Sequence, residues 1–264
     1  MSGHGESDGG GAWPLGRGVT RLVLDEGGLG ALDKPPGLLS HPNTSGDETR
    51  SLLAASYVPA DECFEWTDRA GGRRRLWLLN RLDSATSGVI LVATGAALAA
   101  AIRSQFQRRR IFKVYHAVVF GAPRQPMELW RDRLAVTKRG ERIRTTDSSG
   151  HVPAECRMSV VRPGRGEPRL TLLRLEPRTG RSHQLRVQCA KRGVPIVGDQ
   201  TYGDFRRNRD LARTLGARRL FLHSTETRFD YELDGRLRTF VARSALPAEF
   251  GAVLRGPVAG GRPI

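Results

Sequence analysis

The sequence predicts an α+β domain with a mixed, largely antiparallel central sheet flanked by helices and loops. Two observations carry this. Short apolar, strand-like runs mostly follow one another, which is not the regular alternation of a doubly wound sheet. Helical periodicity is confined to residues 95–110 and 182–192. With 264 residues the chain is long enough to bury a sizeable core. The Gly- and Ser-rich N-terminus and a similar stretch at the other end are expected to lie outside it. The reading is therefore a tail at 1–17, one domain over 18–254 and a flexible tail at 255–264.

Each element follows from its residues. Leu22–Leu24 and Leu29–Leu32 are short strands, the second stopped by Pro35, Pro36 and Gly37. Residues 61–75 are polar and contain Gly, so a loop is expected. Leu76–Leu79 and Val89–Val92 are buried runs enclosing NRLDSATSG at 80–88. Ala97, Leu98, Ala101, Ile102 and Phe106 define a helix expected to end in Arg108, Arg109 and Arg110, cations that suit the last turn. Residues 111–121 are apolar on both faces, as in a central strand. Glu155–Val161 and Leu170–Leu175 flank a Pro/Gly loop and predict an antiparallel pair. In 177–193, Ser182 is the expected N-cap of a helix that Gly193 stops. Residues 220–222, 227–233 and 237–242 complete the sheet.

Composition narrows the function. Lys and Arg total 43 against 27 Asp and Glu, for a net charge of +16, which points to a polyanionic partner such as nucleic acid. The charge is clustered. Arg103, Arg108, Arg109, Arg110 and Lys113 have no acid among them, and Lys138, Arg139, Arg142 and Arg144 surround the single Glu141. Cys63, Cys156 and Cys189 are widely spaced and form no CxxC pair, so neither a disulfide framework nor a zinc knuckle is indicated. A reducing cytoplasm is expected, with no membrane span and no signal peptide. The six His form no HExxH, and no GxxxxGK[ST], GxGxxG or GxSxG appears, so neither a metal nor an organic cofactor is expected.

What remains is an acid, a phenol and guanidiniums. Asp83 is held on a short loop between two buried segments, as active-site acids are, although Asp, Ser, Thr and Gly also form ordinary turns. Tyr115 lies on the central strand, and its phenol is a candidate to stack on or orient a base or to help remove a proton from it. In RSHQLRVQC, Leu185 and Cys189 share a packing face, while Arg186 lies with Ala190 and Gly193 on a small-residue face that permits close approach. A half-buried Arg186 needs a carboxylate, and Asp83 is the best candidate.

These pieces occur in the order and spacing of a known family. KPPGLLSHP, NRLDSATSGVILVA, FKVYHAVVFG, LEPRTGRSHQLRVQCAKRGVPIVGDQTYGD and RLFLHSTETRF together resemble the motifs of the RluA-like pseudouridine synthases, from about residue 20 to 250. The resemblance implies that uridines in ribosomal or transfer RNA become pseudouridine without metal or cofactor. Asp83 would act at the sugar or base as nucleophile or proton abstractor, Arg186 would orient it, and Tyr115 would stack on the uracil. The target nucleotide would be flipped out, with Arg81 filling the gap. The basic segments, with Arg181 near a helix N-terminus, would hold phosphates. His183 and Gln184 are expected to brace the helix start, and Gly198, Asp199 and Gly203 to form a turn. Asn80 departs from the family, which usually has His there. With the first strand starting near residue 20, target choice is expected to rest on the catalytic domain, acting as a monomer. The runner-up is a noncatalytic RNA-binding or ribosome-assembly protein on the same fold.

Overall fold

A computed structural model describes residues 12–139, 142–146, 151–216 and 218–256. Its first half carries strands β1 (Thr20–Leu24), β2 (Leu29–Lys34), β3 (Ser56–Val58), β4 (Cys63–Thr67), β5 (Arg73–Leu78) and β6 (Ser87–Ala93), then helix α1 (Ala96–Gln107). The second half carries β7 (Phe112–Phe120), β8 (Met127–Arg139), β9 (Arg142–Thr146), β10 (Val152–Pro163), β11 (Leu170–Pro177), α2 (Gln184–Lys191), α3 (Phe205–Leu215), β12 (Leu222–Leu233), β13 (Arg236–Arg243) and α4 (Ala248–Arg255).

The strands form one sheet in the order β3-β4-β5-β6-β12-β7-β11-β10-β8-β9, with β2 on β6, β1 on β2 and β13 on β12. Among the described strand pairs only β6 and β12 run parallel, at His223↔Ser87 and Ser224↔Gly88. The fold is the expected mixed, largely antiparallel α+β sheet. Its two halves meet where β12 lies between β6 and β7. Strand β7 is central, flanked by β11 and β12, and alternation on both its faces buries Val114 and Ala117 through Phe120. The β10–β11 pair is antiparallel as expected.

Several expectations are corrected. Residues 61–75 are not a loop but most of the β4–β5 hairpin, in register from Cys63↔Trp77 to Thr67↔Arg73. The charges that suggested a loop pair along the hairpin, Arg73 and Arg75 with Glu65 on one face and Arg74 with Asp68 at its turn end, while Phe64 and Leu76 are fully buried. Burying side chains of that size contributes about 1.5–3 kcal/mol each, so alternation outweighs composition. The core begins before residue 18. Trp13 and Leu15 pack on the cluster of Leu52, Phe64 and Val92, and the Gly16 N–H donates to the Leu52 carbonyl at 2.9 Å. At the other end α4 runs to Arg255, one residue past the expected boundary, and buries Phe250, Val253 and Leu254.

Helix α1 ends at Gln107, before the three arginines. No cation lies in its last turn, and Arg109 adopts φ 57°, turning the chain into β7. Ser182 does not cap α2. The helix starts at Gln184 behind a left-handed His183, φ 54°. The Gln184 side chain instead braces the turn before the helix: its Oε1 accepts from the Arg181 N–H at 3.2 Å and from Thr179 Oγ1 at 2.7 Å. Helix α3, not foreseen, starts on Asp204, whose carboxylate accepts from the Arg207 N–H, and stops at left-handed Gly216. Of the second basic cluster, Glu141 and the side chains of Lys138, Arg139, Arg142 and Arg144 lie outside the described residues.

Candidate active site

The loop between β5 and β6 is clamped on both sides of Asp83 by the turn after β2. Ser40 Oγ donates to the Leu82 carbonyl at 2.7 Å and accepts from the Leu82 N–H at 3.0 Å. The Ser84 carbonyl accepts from the Gly37 N–H at 2.8 Å and from Lys34 Nζ at 2.9 Å. Lys34 is fully buried, and its ammonium also reaches the carbonyls of Pro35 and Leu38. Burial pushes its pKa down to about 7, with the Asp83 charge working the other way. Asn80 is a further pin, its Oδ1 accepting from the Leu91 N–H at 2.7 Å. Asn80 thus holds the loop to β6.

The expected Asp83–Arg186 pair is present. Arg186 Nη1 donates to Asp83 Oδ2 at 3.0 Å, and the Arg186 side chain is 8 % exposed. Asp199, expected only as turn chemistry, is the main partner of that guanidinium. Nε and Nη2 of Arg186 donate to its two carboxylate oxygens at 2.8 Å each, a bidentate fork. Asp199 also accepts the N–H groups of Thr201 and Tyr202, so the turn reading holds in part. Burial would raise the Asp199 pKa, but the Arg186 hydrogen bond and charge outweigh it and hold the carboxyl below its ordinary value. Burial opposes the Arg186 charge in turn, and the two carboxylates more than offset it. The fork on Asp199 fixes the guanidinium plane and leaves Nη1 for Asp83.

Tyr115 on β7 projects beside this pair. Burial pushes its phenol up to about 12, against a hydrogen bond with Ser224 and with the Asp83 charge. Lys113, two residues earlier on the same face, is pushed down to about 8 by burial. No described carboxylate pairs with it, and its Nζ lies 3.6 Å from where a side chain would begin at Gly180. Both line a cleft of about 680 Å³ with Asp83, Arg81, Arg181, His183, Arg186 and the apolar Leu79, Phe106 and Leu222. An acid and a guanidinium set at the end of an apolar slot suit a planar, partly polar base.

The expected cations divide. Arg81, Lys113 and Arg181 line the cleft. Arg109 lies in an adjoining groove of about 310 Å³ with Lys113, Arg178 and Arg181. Arg108 and Arg110 do not join them and line a separate depression against Tyr231 and Glu232. Arg81 is held at the rim by Glu62 at 3.2 Å and by His41 Nε2 at 3.2 Å. Sequence reasoning missed Asp199, Lys34 and Ser40. No local signal marked Lys34, whose carbonyl acceptors on Pro35, Leu38 and Ser84 are set by tertiary structure.

Residues 29–191 match the model of the RNA pseudouridylate synthase family. The chain belongs to that family. It is 29% identical over 249 residues to the tRNA pseudouridine synthase C of Yersinia pestis, covering 88% of this chain and 91% of the relative. It is 33% identical over 210 residues to the ribosomal large subunit pseudouridine synthase C of Vibrio vulnificus, covering 80% of this chain and 61% of that one. The fold is similar to that of human RNA pseudouridylate synthase domain containing 4, with a TM-score of 0.65, 22% identity and coverage of 89% and 91%. As a member of this family the chain is an RNA pseudouridine synthase, of the isomerase class.

Proposed function

We propose that this pseudouridine synthase isomerises specific uridines of transfer or ribosomal RNA with Asp83 as its catalytic carboxylate. The observation that carries the reading is the Arg186 guanidinium, locked on Asp199 and presenting its remaining Nη1 to Asp83 at the base of the cleft. In the reaction the bond from uracil N1 to C1′ of the ribose breaks, the base turns, and C5 bonds to C1′. The C5 proton leaves as N1 gains one, so the product is an isomer and no cosubstrate is consumed. Asp83 acts as nucleophile at the sugar or base, or as proton abstractor at the sugar. Tyr115 keeps its proton at neutral pH, which suits stacking and orientation of the uracil better than removal of the C5 proton.

The apolar slot takes a nucleotide flipped out of the RNA, and Arg81 leaves Glu62 to fill the space behind it. Lys113 is the phosphate anchor. An ammonium buried without a described counterion is costly, and a phosphate removes that cost. Arg109 and Arg181 extend the phosphate track, with Arg108 and Arg110 contacting RNA farther out. Action as a monomer in a reducing cytoplasm is carried over from the sequence, whose three cysteines form no CxxC pair.

Purified protein is expected to release tritium from RNA labelled at uridine C5. Asp83→Ala and Asp83→Asn are expected to abolish release while retaining RNA affinity. A noncatalytic role would instead leave wild type without release on RNA from cells lacking the gene. Transfer RNA is the first substrate to try, because the relative spanned over 91% of its length is named for it. Pseudouridine mapping with and without the gene then assigns the position.

A further inference from the structure

His183 was expected only to brace a helix, yet Gln184 does that bracing. The His183 backbone sits at φ 54°, ψ 14°, a left-handed conformation uncommon outside Gly, although His is among the residues enriched there with Asn and Asp. This turns the imidazole into the cleft, where it lines the wall beside Asp83. Its Nε2 lies 3.7 Å from Asp83 Oδ1, the carboxylate oxygen that Arg186 leaves free.

The far side of the ring bears on the tautomer. Tyr202 Oη accepts from the Thr145 N–H at 3.0 Å and lies 2.8 Å from His183 Nδ1. A phenol has one proton, and the only described acceptor it faces is Nδ1. Donation from Tyr202 to Nδ1 would use that proton and leave the ring's own on Nε2, toward Asp83. Tyr202 is itself fixed: the Arg186 guanidinium lies over its ring at 5.1 Å, and its N–H donates to Asp199 at 3.0 Å. Both groups facing Asp83 are thus tied to one tyrosine.

We infer that His183, held in its Nε2–H form by Tyr202, is a positioning residue that takes up Asp83 Oδ1 when substrate closes the cleft, fixing the carboxylate by both oxygens. The inference rests on the pseudouridylation reading. Catalytic hydrogen bonds are commonly long in the unliganded state and shorten in the complex. The charged groups facing the ring are Asp83, Arg186 and Asp199, and burial lowers its pKa. The imidazole is then neutral at the pH of an ordinary assay and acts by direction, not by charge.

The test compares single-turnover tritium release, RNA affinity and thermal stability of wild type and four variants. His183→Ala is expected to lower the rate tenfold or more while RNA Kd stays within threefold, since misplacing a reacting group by about 1 Å costs on the order of 10²-fold. His183→Gln, which carries an N–H near the Nε2 position, should recover most of that loss. His183→Asn suits the left-handed backbone but falls short of Asp83, so it should stay slow. Tyr202→Phe keeps the ring under Arg186, frees the tautomer and should slow the rate severalfold. The ¹⁵N shifts of the wild-type imidazole should report a protonated Nε2 and an accepting Nδ1. A fast His183→Ala protein, a fast His183→Asn with a slow His183→Gln, or a protonated Nδ1 overturns the inference while wild-type activity stands. A wild type without tritium release overturns the pseudouridylation reading and this inference with it.

Discussion

The floor of the cleft and its rim are built from the same residue types to opposite ends. On the floor, Arg186 is enclosed by two carboxylates and its side chain is 8 % exposed. Toward the rim, Lys113, itself largely buried, and Arg109 and Arg181 have no described carboxylate partner and line a shared groove. A guanidinium buried between two carboxylates is a fixed part of the scaffold. One left without a partner is available to a phosphate. Charge balance, more than charge, therefore separates the part that does chemistry from the part that holds RNA, and the two should respond differently to salt, pH and substitution.

The largest effect is expected on the floor. Asp199→Ala leaves Arg186 buried against a single carboxylate, which should cost about 3–5 kcal/mol of stability and lower the rate on the order of 10²-fold with little change in RNA affinity. Denaturant unfolding and single-turnover rates check this. The Asp199 carboxyl is held below its ordinary value of 3.8 in the folded chain. Its contribution is therefore complete above that pH and is lost only as pH falls below 3.8 toward the folded value. A variant as stable and as fast as wild type would break the distinction between floor and rim.

Next in size is Lys113→Met. With the free ammonium pushed down to about 8, phosphate binding must draw a proton onto Lys113 once the pH exceeds that value. RNA affinity should be level below pH 8 and fall above it, approaching tenfold per pH unit, until other groups titrate. Kd measured from pH 6.5 to 9.5 at constant ionic strength should show this bend in wild type. The methionine variant should bind more weakly and show no bend there.

The smallest effects sharpen the map of the rim. Arg109→Ala and Arg181→Ala should each reduce the slope of log K against log[salt] by about 1, with the single-turnover rate at saturating RNA unchanged. Arg108→Ala and Arg110→Ala face the depression beside Tyr231 and Glu232 and should change the slope by less. Equal slopes for all four would mean that the RNA path covers both sides of α1.

Much of this was legible before the structure. Motif order placed Asp83, Tyr115 and Arg186 in one site, and the burial expected of Arg186 on the small-residue face of its helix required a carboxylate for it. Position 199 was misjudged because an Asp in GDQTYGD accepts backbone N–H groups in any turn, and its second set of bonds reaches a side chain thirteen residues earlier. The hairpin at 63–78 was missed for a similar reason: its arginines signal solvent until Glu65 on the opposite strand is seen to receive them.

The sequence by itself determined the fold class, the family and the chemical types in the site, because apolar alternation, turn residues and motif order are local properties of the chain. Tertiary structure alone decided how Arg186 is divided between Asp199 and Asp83, how Lys34 and Ser40 clamp the loop, and which cations face the cleft. Those outcomes depend on where side chains distant in sequence point once the β6–β12–β7 register brings the two halves together. Hydrogen bonds that select one partner over another act over about 3 Å, a distance no sequence spacing encodes.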